Sequence, residues 1–402
     1  MRNERNRLMP DVVYLDNNAT TAVAPEVLEA MLPYFSKLYG NPSSIHTFGG
    51  QVASRIAEAR ESLAALLGAH PSELLFTSCG SESDSAAILS ALECQPHRRH
   101  VVTSRVEHPA VRVLCRYLQD QRGYRLTEVG VDARGRLDLD EYRAAVGDDT
   151  AIVSLMWSNN ETGVNFPIDR CAAIAKAAGA MFHTDAVQAV GKMPIDLAQS
   201  DAIDLLSLSG HKLHAPKGIG ALYIRRGTPF VPFLRGGHQE SSRRAGTEAV
   251  PSIVGLGKAA ELARRRMTDE NTRVRALRDR LEEGLLRSCP DARVNGDTVD
   301  RLPNTTNISF EYIEGEAILL LLDQEGICAS SGSACTTGSL EPSHVLRAMG
   351  VPFTAAHGSI RFSLSYYTTE QDVDRVLGCL PAIVRRLRDI SPFGRQPLRA
   401  AT

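Results

Sequence analysis

The sequence lacks any uninterrupted run of about 20 apolar residues, the length that a membrane-spanning helix requires. Its charged first residues, MRNERNRLMP, are not followed by the apolar stretch of a secretory signal. The 8 cysteines form no CxxC pair, which argues against a structural zinc site or a disulfide framework. We therefore expect a cytoplasmic protein with reduced thiols and no membrane partner.

The chain also lacks a strong charge of either sign. Its 45 Lys and Arg residues nearly balance 47 Asp and Glu residues, for a net charge of -2, so nothing indicates a nucleic-acid partner. Internal repeats and low-complexity tracts are absent as well. With 402 residues and 43% hydrophobic content, the composition is that of a globular protein of about two domains.

Between about residues 50 and 250 the sequence alternates between helix-like and strand-like patterns. Helical apolar spacing occurs over 51–68, which ends on a glycine, and over 82–92. Short apolar strands are predicted at 73–78, 100–104, 150–157, 180–185, 204–209 and 220–225. Nearly continuous apolar strands separated by helices predict an α/β fold with a mainly parallel sheet covered on both faces.

The pattern changes after Pro251. Residues 252–287 read as one long, charged amphipathic helix that crosses from one domain to another. A strand is predicted over 304–313 and a helix over 314–326, and the tail from Ser391 is predicted to fray.

Several polar residues follow the predicted strands, at the edge where open α/β sheets bind ligands. In SLSGHKLHAPKGIG (207–220), Lys212 follows a glycine turn, and partial burial would free its amine for Schiff-base chemistry. An ordinary surface lysine is the alternative. In FHTDAVQAVGK (182–192), Asp185 could pair with a pyridine nitrogen or simply cap a helix.

Two further stretches suggest a phosphate site and a nucleophile. TSCGSESDS (77–85) places a glycine turn before a helix, whose N-terminus suits phosphate, although serine capping explains it equally well. Cys335 lies in SSGSACTTGSLEPSH (330–344), among small residues that offer no core for a thiol. Either this cysteine is incidental, or it is a nucleophile on a flexible arm.

Ordered segments along nearly the whole chain resemble the NifS/IscS-type cysteine desulfurases, which are class-V aminotransferases of pyridoxal-phosphate fold type I. The segments are YLDNNATT (14–21), GNPSSIH (40–46), TSCGSESDSAAILSAL (77–92), MWSNNETG (156–163), FHTDAVQAVGK, SGHKLHAPKGIG (209–220), RRAGTE (243–248), SSGSACTTGSLEPSH and IRFSLS (360–365). HKLHAPKG and MWSNNETG are most similar to the nitrogen-fixation branch.

The resemblance implies a domain arrangement. Residues 21–255 would form a large cofactor-binding domain, and 256–390 a smaller α+β domain that carries the cysteine loop. Residues 1–20 would join the smaller domain, with 391–402 as the frayed tail.

The resemblance also implies roles at the cofactor. Lys212 would hold pyridoxal phosphate, and Asp185 would pair with its ring nitrogen. Gln188 and Asn160 would contact the side of the ring that carries the phenolic oxygen. His108 would stack on the ring and help to move protons.

Further residues are implied at the phosphate and the substrate. The phosphate contacts would come from Gly80, Ser81, Ser209 and His211, with Thr247 reaching in from a neighbouring subunit of a homodimer. Arg361 would grip the substrate carboxylate, a task suited to a planar bidentate donor, and Asn41 is the second predicted substrate-binding residue. Ser241 and Ser242 stand where relatives commonly have Arg-Gly, which puts a contact there in doubt, although Arg243 and Arg244 remain.

The implied activity is removal of sulfur from L-cysteine to give L-alanine and a persulfide on Cys335. An iron–sulfur scaffold protein would accept the sulfur, with nitrogenase as the predicted destination. No intrinsic metal site is predicted, and a transient contact of Cys335 with an iron–sulfur cluster is left open. Two alternatives are a selenocysteine lyase and a non-enzymatic sulfur carrier or redox protein.

Overall fold

The computed structural model describes residues 12–331 and 342–392. Helices and strands alternate along most of this length, as the apolar patterns predict. The strands are β1 (Val13–Tyr14), β2 (Leu74–Thr77), β3 (His100–Ser104), β4 (Arg125–Val129), β5 (Thr150–Met156), β6 (Met181–Asp185), β7 (Leu205–Ser209), β8 (Gly220–Ile224), β9 (Ala292–Val294), β10 (Thr305–Phe310), β11 (Ile327–Cys328) and β12 (Ser359–Ser363).

The helices cover the sheets and connect their strands. They are α1 (Pro25–Met31), α2 (Pro33–Ser36), α3 (Thr47–Leu67), α4 (Gly80–Cys94), α5 (Pro109–Arg122), α6 (Leu139–Ala145), α7 (Ile168–Ala177), α8 (Val250–Asp269), α9 (Arg275–Ser288), α10 (Gly315–Gln324), α11 (His344–Ala348), α12 (Phe353–His357) and α13 (Glu370–Ile390). Within the described ranges, none of them is both long and apolar enough to cross a membrane.

The largest sheet has seven strands in the order β2-β8-β7-β6-β5-β3-β4. Neighbours from β7 to β4 are parallel, and β8 runs antiparallel to both of its neighbours. The central strands are buried along their whole length, because helices pack on both faces. The predicted α/β fold with a mainly parallel sheet is confirmed.

Two smaller sheets lie in the second half of the chain. β12-β10-β9 form an antiparallel sheet, and β1 pairs in parallel with β11. Val13 and Leu15 pack in the same hydrophobic core as Val274 and the residues after it. This packing supports an N-terminal segment that joins the smaller domain, as does the bridge between Asp16 and Ser363. The exact domain boundaries remain a prediction.

The predicted long helix over 252–287 is interrupted. A π-helical turn over Glu270–Val274 separates α8 from α9. Apolar residues of α8 as far as Leu262 pack in the core of the large sheet, whereas Val274 and α9 pack in the second core. The helix therefore connects the two cores, as predicted, and the extra residue per turn lies at the crossing.

Three successive residues of an exposed segment have a left-handed backbone, with φ values of 49° at Glu240, 58° at Ser241 and 63° at Ser242. The Glu240 carboxylate accepts hydrogen bonds from the Arg60 guanidinium at 2.6 and 2.8 Å and from the backbone N–H of Phe76 at 3.0 Å. These bonds fix the segment in a conformation that costs a residue with a Cβ about 1–2 kcal/mol. Glycine at position 242 would avoid this cost.

We expect Ser242→Gly to raise the free energy of unfolding by about 1 kcal/mol, because glycine adopts positive φ without strain. Ser54→Gly, at an exposed position inside α3, is the matched control and should lower it, since glycine weakens a helix interior. Urea unfolding of both variants measures the effect. A lower free energy of unfolding in Ser242→Gly would contradict the claim that the backbone at Ser242 is strained.

Candidate active site

A cavity of about 290 Å³ opens at the carboxyl ends of β5, β6 and β7. Most residues predicted for the site line it together. They are Gly80, Ser81, His108, Asn160, Asp185, Gln188, Ser209, His211, Lys212 and Arg361. Parallel strands bring their carboxyl ends to one edge of a sheet, and this geometry collects residues that are far apart in sequence.

Three predicted residues are not placed in this cavity. Asn41 and Thr247 are exposed and lie outside its lining. Cys335 lies outside the described residues. The roles predicted for these three remain predictions, and an exposed Thr247 is compatible with a contact to a second subunit.

Lys212 ends a short 3-10 turn that follows β7. The turn begins at Gly210, where a Cβ atom would come within 2.7 Å of the Ile219 side chain, so only glycine fits. The Lys212 Nζ donates to the backbone carbonyls of Asn18, at 2.5 Å, and Ala19, at 2.7 Å. The N-terminal segment thus holds the amine at the mouth of the cavity.

Asp185 is the last residue of β6 and is buried. Its Oδ1 accepts the backbone N–H of Val187 at 2.9 Å. Burial raises the pKa of Asp185, and the nearby His108 and Lys212 act in the opposite direction. A buried acid at the bottom of a cavity is suited to a cationic partner, which would keep it ionised.

Asp84, on α4, is a second buried acid in the lining of this cavity. Burial and then the neighbouring Asp185 raise the pKa of Asp84 well above its usual range. Two buried carboxylates so close together cannot both ionise easily. Burial and the proximity of Asp185 therefore favour the protonated form of Asp84.

His108 is the residue immediately before α5 and caps this helix. Its Nδ1 accepts the backbone N–H of Ala110 at 3.2 Å. Burial, and then the charge of Lys212, lower the pKa of His108. The imidazole is therefore neutral at pH 7, with Nδ1 engaged by the backbone and Nε2 left as the proton-bearing atom.

The opposite end of the cavity is suited to an anion. Gly80 and Ser81 form the first turn of α4, where backbone N–H groups and the helix dipole favour negative charge. A Cβ atom at Gly80 would lie 2.9 Å from the Val187 side chain, so glycine is needed there for close packing. Ser209 and His211 complete this end of the cavity.

Arg361, on β12, reaches the cavity from the smaller sheet and is only 4% exposed. Its guanidinium donates to the Asn160 carbonyl at 2.9 Å and to Asp16 Oδ1 at 2.7 Å. Its buried Nε has no hydrogen-bond partner among the described residues. A fixed guanidinium with an unused donor is a suitable site for a substrate carboxylate.

The described residues on either side of the segment that contains Cys335 lie close to this cavity. On one side, Ser330 exchanges two backbone hydrogen bonds with Arg361, at 2.7 and 3.2 Å. On the other, His344 Nε2 lies 3.0 Å from the carbonyl oxygen of Glu107, the residue before His108. Both neighbouring parts of the chain are therefore attached to residues at or beside the cavity.

The sequence patterns did not assign a role to Asn18, which links several of these residues. Its backbone carbonyl accepts hydrogen bonds from both Lys212 Nζ and Gln188 Nε2. Its side-chain Nδ2 donates a hydrogen bond to the Asn160 carbonyl at 3.2 Å. The only sequence signal was its place in YLDNNATT, where a backbone acceptor cannot be recognised. Asp84 and Lys192, both buried near the site, were missed for a similar reason, because charged residues are normally assigned to the surface.

Glu161, next to Asn160, is a buried acid that accepts a hydrogen bond from the Ser343 hydroxyl. Burial raises the pKa of Glu161 from 4.5 to about 7. Between these pH values the folded protein holds a proton that the unfolded chain has released. The contribution of Glu161 to the free energy of unfolding is therefore fully present below pH 4.5 and is lost as the pH rises through 7.

Replacing Glu161 with glutamine should remove this loss, since the amide resembles the protonated acid at every pH. We expect the fall in unfolding free energy from pH 5 to pH 8 to shrink by about 3 kcal/mol at most. Urea unfolding at both pH values measures it, with the exposed Glu29→Gln as the control. An unchanged pH dependence in Glu161→Gln would contradict a raised pKa of Glu161 in the folded protein.

Comparisons with known proteins agree with this geometry. A family model described as aminotransferase class-V matches residues 13–376. A cysteine desulfurase NifS of Azotobacter vinelandii is 63% identical over 382 residues, which are 95% of this chain and 94% of that relative. A solved NifS-like protein has a TM-score of 0.88 and 38% identity, covering 94% of this chain and 100% of its own. The structure described as SspA in complex with cysteine has a TM-score of 0.77 and 34% identity, covering 89% and 99%.

Proposed function

The chain belongs to the class-V aminotransferase family and, within it, to the cysteine desulfurases, and from this premise we propose how its residues desulfurate L-cysteine. The single observation that carries the proposal is that one cavity brings together Lys212, Asp185, His108 and Arg361. An amine, a buried acid, a neutral imidazole and a fixed guanidinium are the groups that this reaction needs.

The cavity fits pyridoxal phosphate. The buried Asp185 would pair with the ring nitrogen, whose positive charge would keep the carboxylate ionised. The first turn of α4, with Gly80, Ser81, Ser209 and His211, would hold the phosphate. Lys212 would carry the cofactor covalently. When bound, the cofactor supplies an electron sink for the bonds that break in the substrate.

Arg361 would bind the carboxylate of L-cysteine through the donor that its contacts with Asp16 and Asn160 leave unused. These two contacts hold the guanidinium in place before the substrate arrives, so little of its freedom is lost on binding. The cysteine bound by the similar structure of SspA supports this choice of substrate. Asn41 would be a second substrate contact.

Proton transfer would be shared between Lys212 and His108. The Lys212 amine, held at the mouth of the cavity by two carbonyls, would remove the proton from the substrate Cα. His108, neutral and with its Nδ1 fixed by the backbone, would pass a proton to or from the reacting sulfur through Nε2. Burial favours the neutral imidazole, whose Nε2 proton can be donated.

Sulfur would leave the substrate by transfer to Cys335. Its thiolate attacks the substrate sulfur, an S–S bond forms and the Cβ–S bond breaks. One L-cysteine and one thiol give one L-alanine and one persulfide, so the atoms balance and no outside oxidant is required. The contacts of Ser330 and His344 support this role, because they place the described residues on either side of Cys335 beside the cavity.

The wider setting is also part of the proposal. Thr247 would complete the phosphate site of a second subunit in a homodimer. The persulfide sulfur would pass to an iron–sulfur scaffold protein, and the similarity to a NifS protein supports nitrogenase as the destination. The cysteines of the described ranges are free, which supports a reducing cytoplasmic setting.

The test is a single-turnover reaction of the cofactor-loaded protein with L-cysteine and no acceptor. We expect one L-alanine per active site, together with one extra sulfur on the peptide that contains Cys335, as measured by amino-acid analysis and mass spectrometry. Alanine without this sulfur, or the sulfur on another cysteine, would contradict the proposal.

A further inference from the structure

Lys192 is a buried cation that the proposed reaction does not use. It follows β6 by a short loop and is only 6% exposed. Its Nζ donates to Gln188 Oε1 at 2.7 Å and lies 3.3 Å from Asn18 Oδ1. A lysine is rarely buried without a specific purpose, because removing its charge from water is costly.

The contacts of Gln188 admit only one orientation of its amide. A lysine amine donates to Gln188 on one side, so the oxygen Oε1 must face Lys192. On the other side the Asn18 carbonyl can only accept, and Gln188 Nε2 donates to it at 3.0 Å. Nε2 has two N–H groups, and one of them is left over. Because Gln188 lines the cavity, this second donor is available to an anion bound there.

Lys192 is surrounded by charges from several parts of the fold. Burial, followed by the charge of Lys212, lowers the pKa of Lys192 to about 7, Glu270 in the π-helical turn raises it, and Arg361 on β12 lowers it further. The same amine lowers the pKa of His211 and of His214, both in the loop after β7. The amine keeps N–H donors whether or not it is charged, so its bond to Gln188 persists on both sides of pH 7.

We propose that Lys192 is a positioning residue that acts through Gln188, holding the amide nitrogen toward the cavity as a donor to the anionic ring oxygen of the cofactor. This inference rests on the proposed function, since it assigns a task to Gln188 at that ring. Lys192 itself does not line the cavity. Its effect reaches the site because a fixed amide, polarised on its oxygen side, is a stronger donor than a free one.

The experiment measures the visible absorbance of the cofactor-loaded protein as a function of pH. A donor at the ring oxygen and a nearby cation both disfavour a proton on the Lys212 nitrogen. Lys192→Met removes the cation and leaves the Gln188 amide without the contact that orients it, so the pH midpoint of the band should rise by about 1 pH unit. Lys192→Arg keeps both a donor and a positive charge, so its midpoint should stay close to that of the wild type.

A double-variant comparison separates this role from a purely structural one. In a Gln188→Leu background the amide is gone, so adding Lys192→Met should shift the midpoint only by the smaller part that comes from the loss of the nearby cation. An equal shift with and without Gln188 would overturn the proposal, as would an unchanged midpoint in Lys192→Met. If Lys192→Met does not fold, Lys192→Leu, which also has no donor, is compared in the same two backgrounds.

The outcome also separates this inference from the proposed function. Wild-type protein that develops no visible band with pyridoxal phosphate would contradict the proposed function. A normal wild-type band with the same midpoint in all Lys192 variants would contradict only the role of Lys192.

Discussion

A Lys212→Ala variant is expected to form alanine from L-cysteine about 10³-fold more slowly than the wild type, or slower still. The variant lacks both the amine that would carry the cofactor and the base at the substrate Cα. The carbonyls of Asn18 and Ala19 also lose their shared donor, but the Asn18 carbonyl keeps its bond from Gln188 Nε2 and the exposed Ala19 can accept from water. The expected loss is therefore of catalysis and not of folding.

The measurement is alanine formation under saturating pyridoxal phosphate, together with thermal unfolding of the same preparations. Lys217→Ala is the matched control, since this exposed lysine of the same loop lies outside the lining of the cavity. Wild-type rates in Lys217→Ala and a large loss in Lys212→Ala are expected. Retention of more than a tenth of the wild-type rate in Lys212→Ala would contradict the role of this amine.

Replacing Cys335 with serine is expected to reduce alanine formation from L-cysteine to the rate seen without enzyme. Hydroxyl oxygen is a poor nucleophile toward sulfur, so the Cβ–S bond has no acceptor. The visible band of the bound cofactor should not change, because Cys335 has no part in holding it. Release of selenium from selenocysteine does not need a thiol in the same way, so most of that activity should remain.

Cys328→Ser is the control for this prediction. Cys328 is half-buried in β11, and burial raises the pKa of its thiol, which makes it a poor nucleophile. We expect this variant to form alanine at the wild-type rate. Equal losses in the two cysteine variants, or full activity in Cys335→Ser, would contradict persulfide formation at Cys335. Full activity with selenocysteine alone in the wild type would favour a selenocysteine lyase instead.

Much of the fold follows from the sequence because its strands are apolar along their whole length. The prediction for residues 100–104 coincides with β3, and the other predicted strands of the large sheet differ by a residue or two at their ends. β4 was missed because it is an edge strand with charged, partly exposed residues, so it carries no apolar run. The π-helical turn was missed because its residues continue the helical pattern.

Only part of the candidate site could be predicted from the sequence. The motifs predicted Lys212, Asp185, His108 and Arg361, and the parallel sheet brings them to one edge. The contributions of Asn18 could not be read from sequence, because its carbonyl serves residues that are far away along the chain. A role in a second subunit, as predicted for Thr247, cannot be read from the geometry of one chain.

The attachment of the cofactor to Lys212 is the claim on which the other roles depend. Borohydride reduction of the cofactor-loaded protein fixes that attachment, and proteolysis followed by mass spectrometry then locates it. We predict one reduced cofactor on the peptide that contains Lys212, with loss of the visible band. A band that survives reduction, or a modified peptide that contains Lys192 or Lys217 in place of Lys212, would contradict the account.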